Sequence, residues 1–202
     1  MNFVSKRLSP AVFSRIPLAM LLSAATASAH SEGGSAGGFS SGFGHPLTGL
    51  DHIVAMVAVG LWGAILGGRA MWTLPVVFPM VMAVGGALGV MGVAVPGVEM
   101  GIALSGVVMG LMVTFAARPP VWVAAVIVGF FAIFHGHAHG EEMPEASNAM
   151  AYAIGFVIST GLLHLAGIAF GLLSKWPWGR IAIRVGGGAI AAVGVAFLFQ
   201  WL

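Results

Sequence analysis

Two histidines and an aspartate stand close together just before the first long apolar stretch. They are His45, Asp51 and His52, within the sequence HPLTGLDH. Imidazole nitrogens and a carboxylate oxygen form a suitable ligand set for a divalent transition metal. For Asp51 a second interpretation stays open, because Thr48 and Asp51 have the spacing of a capping box that stabilises a helix start. The pattern predicts a metal-binding motif, with capping as the alternative role of Asp51.

A second group of imidazoles occurs in the sequence FHGHAHGEE, which contains His135, His137 and His139. If this segment is helical, His135 and His139 share one face, and Glu142 follows His139 on that face. Such a histidine tract is typical of metal binding. The dipole of a helix C-terminus explains one histidine but hardly three. We therefore predict that His135, His137, His139 and Glu142 are metal ligands.

His164 and Glu99 stand apart from these motifs, and each has two interpretations. At 1.5 Å per residue, His164 lies about 24 Å along its apolar stretch from residue 148. It is either a packed core histidine or a second stop for an ion that moves inward. Glu99 follows Pro96-Gly97, and it either stabilises a helix N-terminus or faces the same end of the molecule as the two motifs. We include both among the candidate metal ligands.

The elements that position these side chains must lie in lipid. Of the 202 residues, 59% are apolar and only 7% are charged, whereas an ordinary soluble domain has roughly 25% charged residues. This composition excludes a water-covered globule. The absence of cysteine excludes disulfides, thiolate metal sites and thiol nucleophiles. The eight basic residues form no patch, so we expect membrane lipid and not nucleic acid around the chain.

Six apolar stretches have close to the ~20 residues that a membrane-spanning helix needs. We place them at about 49–67, 71–93, 97–116, 120–138, 148–173 and 182–201. Glycines four residues apart, such as Gly85/Gly89 and Gly136/Gly140, allow helices to approach closely. The sequence thus predicts an all-α polytopic membrane protein, with a compact bundle of about six transmembrane helices in a domain at 49–202.

The segment before this domain has the features of a secretory signal peptide over residues 1–29. Basic residues precede an apolar run at 17–25, and Ala-Ser-Ala ends at Ala29 as a cleavage site. An uncleaved first transmembrane helix is the alternative. Residues 30–48 are then expected to form a periplasmic tether that leads into the first motif. Its Gly/Ser-rich part, 31–44, has no periodicity and should be flexible.

Beyond residue 29, basic and acidic residues occur in different loops. The loops after the first, third and fifth stretches contain all the basic residues: Arg69, Arg118, Lys175, Arg180 and Arg184. The segments at the opposite ends contain glutamates and no Lys or Arg. Under the positive-inside rule the basic loops are cytoplasmic, so the mature N-terminus and both histidine motifs are periplasmic.

Three segments, HPLTGLDHIVAMVAVGLWGA, FAIFHGHAHGEE and GLLHLAGI, resemble the HupE/UreJ family of nickel (sometimes cobalt) permeases. The resemblance covers essentially the whole chain beyond the signal. It implies a multi-pass inner-membrane protein with a functional link to hydrogenase or urease maturation. It also implies that His45, Asp51 and His52 form one metal-recognition motif. The second motif is implied to contain the three histidines at 135–139 with Glu141 and Glu142, and Phe78 and Glu99 are further matched positions.

The Asp-His pair is also similar to the signature of the larger NiCoT transporters. In that family four residues separate the first histidine from the aspartate, and here five residues separate His45 from Asp51. We therefore do not assign the chain to that family.

The expected function is secondary uptake of Ni²⁺ or Co²⁺ as a transported substrate, with no prosthetic group and no catalytic residue. The chain has no Walker A pattern, and two charges moving inward at 100 mV gain about 4.6 kcal/mol. One alternative is an intramembrane hydrolase with a metal-activated water, although HExxH is absent. The other alternative is a periplasm-facing metal-binding accessory protein that transports nothing. The deep position of His164 argues against this alternative.

Overall fold

The computed structural model describes residues 35–143 and 148–201, and every regular element in this part of the chain is a helix. The expected signal peptide and its cleavage site lie outside the described residues. We number the α-helices in chain order: α1 (Ser35–Gly44), α2 (Leu50–Leu66), α3 (Ala70–Val90), α4 (Val98–Thr114), α5 (Val121–Glu141), α6 (Ala149–Gly171) and α7 (Pro177–Leu198). Short 3₁₀ helices lie at His45–Leu47 and Leu172–Lys175.

Within the described ranges, four helices are long and apolar enough to cross a membrane, namely α3, α5, α6 with its 3₁₀ extension, and α7. A fifth candidate is a bent pair, in which Gly38–Leu47 meets α2 at 78°. Helix α4 is apolar but has only 17 residues. The described part of the chain is therefore that of a multi-pass, all-helical membrane protein, with four to five candidate spans.

Each of the six apolar stretches coincides with one helix, from α2 to α7. The largest difference in position is at α7, which begins at Pro177 where the apolar pattern suggested 182. The reason is local: proline is favoured at the first helical position because its fixed φ suits a helix start. Trp176 before it is extended, as steric contact with the proline ring requires.

The segment that we expected to be a flexible tether is helical over Ser35–Gly44. This helix, α1, packs closely against α6. A Cβ atom on Gly42 would collide with the backbone of Tyr152, and one on Gly155 would collide with the backbone of Phe39. The expectation was wrong here because the glycines serve a close backbone crossing, which sequence composition cannot distinguish from flexibility.

Close pairs of helices build the rest of the bundle: α3 with α5, α4 with α7, and α2 with α6. In the first pair a Cβ atom on Gly85 would collide with the carbonyl of Ile133, and one on Gly136 with that of Met82. The glycine spacing therefore indicates helix crossings, as expected. Gly67 and Gly97 are exceptions, since each has a φ near +70° and lies at a helix end.

The two ends of the bundle differ in chemistry. The connections α2–α3, α4–α5 and α6–α7 meet at one end. This end carries all five arginine and lysine residues of the described ranges and four exposed tryptophans: Trp72, Trp122, Trp176 and Trp178. There Arg184 Nε donates a 2.8 Å hydrogen bond to the carbonyl of Thr114. The opposite end carries the carboxylates and most of the histidines.

Polar side chains are buried inside an otherwise apolar core. Trp62, Phe78 and Met109 are fully buried, and exposed Val, Met and Phe side chains cover the outside. Seven polar residues of the described ranges are buried within this core: His52, Ser105, His135, His137, Ser159, Thr160 and His164. Because such groups are costly in a membrane bundle, they mark where function is to be sought.

Candidate metal site

The bend before α2 places His45 over the rest of the bundle. The hydroxyl of Thr48 donates a 2.8 Å hydrogen bond to the carbonyl of His45, which stabilises the turn. Gly49 is the N-cap of α2, and no side chain caps this helix. The capping box between Thr48 and Asp51 is therefore not formed, and Asp51 lines a cavity beside His45 and His52.

Three side chains from two distant parts of the chain converge on one point. His45 Nε2 lies 2.9 Å from His139 Nδ1 and 3.1 Å from Glu142 Oε2, and His139 Nδ1 lies 3.7 Å from the same oxygen. These atoms are close enough together to share one metal ion. With metal–ligand bonds of about 2.1 Å, adjacent ligands of an octahedral ion are about 3 Å apart. His45, His139 and Glu142, which we call the outer triad, thus have the spacing of three ligands on one face of an ion.

A chain of imidazoles continues from the outer triad into the bundle. His139 Nε2 lies 2.7 Å from His52 Nε2. His52 Nδ1 lies 3.1 Å from His135 Nδ1, and His135 Nε2 lies 2.8 Å from the hydroxyl of Ser105. Four histidines therefore form one continuous line of ring contacts from the surface to the interior.

Ser105 determines which ring nitrogen carries the proton in each histidine along this line. Its hydroxyl donates to the carbonyl of Ile102 at 2.6 Å, so it must accept from His135 Nε2. His135 Nδ1 then accepts from His52 Nδ1, His52 Nε2 accepts from His139 Nε2, and the Nδ1 atom of His139 keeps a lone pair. His139 can thus ligate an ion with Nδ1 while its other N–H is held by His52, the second hydrogen bond that orients metal-binding histidines.

Phe156 of α6 forms the apolar side of the site. Its ring centroid lies 4.6 Å from that of His139 and 5.9 Å from that of His52. A wall of this kind excludes water from one side of the imidazoles, and this lowers the local dielectric and strengthens their interaction with an ion.

An acidic vestibule opens beside the outer triad, in a cavity of about 890 Å³. The carboxylates that line it are Asp51, Glu99, Glu141 and Glu142, and none of the described residues around it is Lys or Arg. Clefts lined by charges of one sign raise the local concentration of counter-ions. The vestibule can therefore collect cations at the mouth of the imidazole line.

The remaining candidate residues occupy other places. His137 is buried and faces the vestibule, with Nε2 donating to the carbonyl of Val93 at 2.7 Å and Nδ1 3.4 Å from Glu141 Oε2. Glu99 is exposed in the first turn of α4 and also lines the vestibule, so both of its interpretations agree with its position. His164 is not part of the imidazole line, because the ring of Phe78 separates it from His135.

Ser105 and Phe156 were not among the candidate ligands. A serine in a Gly-rich apolar helix and a phenylalanine in another carry no spacing signal of their own. Only the crossing of α4, α5 and α6 brings these residues to His135 and His139.

The model of the HupE / UreJ protein family matches residues 18–197. The chain belongs to the HupE/UreJ family. Protein HupE of Rhizobium leguminosarum bv. viciae is 46% identical to this family member over 187 residues, which cover 92% of this chain and 98% of the relative. No solved structure matches the chain. The resemblance found from the two histidine motifs is confirmed.

Proposed function

We propose that this protein carries Ni²⁺, or Co²⁺, inward across the inner membrane by a secondary mechanism without ATP hydrolysis. The observation that carries the proposal is the outer triad, in which two imidazole nitrogens and a carboxylate oxygen lie 2.9–3.7 Å apart. Nitrogen and oxygen ligands at this spacing suit a borderline divalent transition metal. Membership of the HupE/UreJ family supports the same proposal, and with it a functional link to hydrogenase or urease maturation.

The distribution of charge supports inward movement. The acidic vestibule and the outer triad lie at one end of the helices, and the basic loops lie at the other. With the basic end in the cytoplasm, as the positive-inside rule requires, the vestibule faces the periplasm. Two positive charges that move inward across 100 mV gain about 4.6 kcal/mol, which is enough to drive accumulation.

In this proposal an ion passes from the vestibule to the outer triad and then meets the imidazole line. Asp51, Glu99, Glu141 and His137 attract the hydrated ion, and the triad replaces part of its water shell. His52 and His135 lie next on the path. The proposed topology has six spans, with α2 to α7 each crossing the bilayer and the N-terminus of the mature chain outside.

The test is nickel flux into proteoliposomes that contain the purified protein under an inside-negative potential. The proposal expects uptake well above that of empty liposomes, and loss of uptake in the His45→Ala variant. Leu47→Ala is the matched control, because Leu47 is exposed on the same 3₁₀ helix and contributes no ligand. Wild-type uptake equal to that of empty liposomes, or normal uptake by His45→Ala, would overturn the proposal.

A further inference from the structure

His164 is a buried imidazole that the outer triad does not use. It is 1% exposed, and neither ring nitrogen has a hydrogen-bond partner among residues 35–143 and 148–201. Nearly all buried polar groups in proteins are hydrogen-bonded, so each exception calls for an explanation such as a bound water or ion. If His164 served only for packing, an apolar side chain could fill the same space. An imidazole there has the added free-energy cost of burying two ring nitrogens without hydrogen bonds.

Thr160 lies one helical turn above His164 on the same face of α6 and shares this property. Its hydroxyl is fully buried and has no partner among the described residues, and the same holds for the hydroxyl of the neighbouring Ser159. In a helix such hydroxyls commonly bond the carbonyl four residues earlier. Thr114 in α4 does so, with a 2.8 Å bond to Gly110. The hydroxyl of Thr160 thus remains available to another group beside His164.

The backbone around His164 is held in place by a close helix crossing. A Cβ atom on Gly60 of α2 would collide with the carbonyl of His164, and one on Gly167 would collide with that of Val57. Helices that touch through backbone atoms leave little freedom to shift. The backbone that carries the imidazole is therefore held in a fixed position.

The ring of Phe78 lies between this region and the imidazole line. Its ring centroid lies 5.6 Å from that of His135 on one side and 5.6 Å from that of His164 on the other. Counting at 1.5 Å per residue from the acidic ends of their helices, His135 lies about 9 Å deep, Phe78 about 18 Å and His164 about 23 Å. His164 thus comes after the outer triad and the aromatic ring on a path toward the basic end.

We infer that His164, with the hydroxyl of Thr160, forms a second, inner binding site for the same class of divalent transition-metal ion. The imidazole supplies one ligand, and the hydroxyl holds a water that the ion keeps. One direct protein ligand makes the inner site weaker than the outer triad. A weak second site suits conduction, since an ion must be able to leave it. The inference rests on the proposed function, because the inner site serves as the next stop after the outer triad.

The first experiment measures binding without transport. Full-length protein is purified in detergent with the outer triad disabled by His45→Ala and Glu142→Gln, and nickel binding is measured by equilibrium dialysis. This background is expected to retain one weakly bound nickel, which is lost on adding His164→Leu. Ile168→Val is the matched control, because Ile168 is a buried apolar residue one turn deeper on the same face. Gel filtration and thermal unfolding confirm that each variant is folded.

The second experiment measures transport with the outer triad intact. His164→Leu is expected to reduce nickel flux into proteoliposomes by about tenfold or more. A tenfold loss is about the lower end of the effect of mutating a residue that supports a metal site. Thr160→Val is expected to reduce it less, and nickel affinity at the outer triad should be unchanged in both variants.

Either of two results would overturn the inner site. One is that the background with a disabled triad binds no nickel, or binds it equally with and without His164. The other is wild-type flux in the His164→Leu variant. If wild-type protein itself transports no nickel, the proposed function fails, and the dialysis experiment still decides whether His164 binds the ion.

Discussion

Replacing Glu142 by glutamine should weaken nickel binding while leaving the fold intact. Glu142 is the carboxylate of the outer triad, and its side chain is 59% exposed, so water screens its charge strongly. With a water-like dielectric constant of ~80, a carboxylate about 3 Å from a doubly charged ion contributes about 2.8 kcal/mol. This corresponds to about a hundredfold in the dissociation constant. Because glutamine retains an amide oxygen, we expect a loss between about tenfold and about a hundredfold.

The chain offers a matched control one residue earlier. Glu141 has the same chemistry and nearly the same exposure, 58%, but its carboxylate lies beside His137 and not in the triad. Glu141→Gln should lower nickel affinity only a few-fold, since its charge acts through water from a greater distance. Both variants change the net charge by the same amount, so the comparison separates ligation from general electrostatics.

Isothermal titration of the purified variants with Ni²⁺ measures both dissociation constants. The reasoning is refuted if Glu142→Gln binds nickel as tightly as the wild type, or if Glu141→Gln shows the larger loss. The first result would mean that imidazoles alone hold the ion, and the second that the vestibule, not the triad, is the binding site.

Two further predictions concern stability. Gly85→Ala should lower the unfolding free energy by about 1–3 kcal/mol, because the new methyl collides with the backbone of Ile133. Gly161→Ala, with no atom near its Cβ position, should be neutral or slightly stabilising, and thermal unfolding of both variants checks this difference. Nickel at a hundred times its dissociation constant should stabilise the wild type by about 2.7 kcal/mol. The melting temperature should rise by several degrees and return after chelation, and no rise would contradict a site formed only in the folded protein.

The imidazole line gives the outer triad a property that a surface cluster lacks. When His139 binds an ion through Nδ1, its Nε2–H is held by His52, which is in turn held by His135 and Ser105. Such outer partners typically change metal affinity by 10–100-fold. In the proposed function, the buried histidines thus affect metal binding at the outer triad as well as lying next on the path inward.

The amino-acid sequence determined where helices α2 to α7 lie and which end of the bundle is acidic. Both follow from local rules, since about twenty apolar residues make a span and charges cannot remain in lipid. For the same reason, the sequence alone correctly predicts that His135 and His139 share one face of their helix. Helical periodicity is a property of neighbouring residues and needs no tertiary information.

Only the tertiary structure decided which ligands meet. His137 lies between His135 and His139 in the chain but turns to the vestibule, while His45 reaches His139 across 94 positions. The rotation of each helix about its axis and the glycine contacts at each crossing determine which side chains come together. They also turned the Gly-rich segment before His45 into a packed helix. Residue spacing along one helix carries no information on the rotation of another, and that rotation is fixed by backbone contacts between helices distant in the chain.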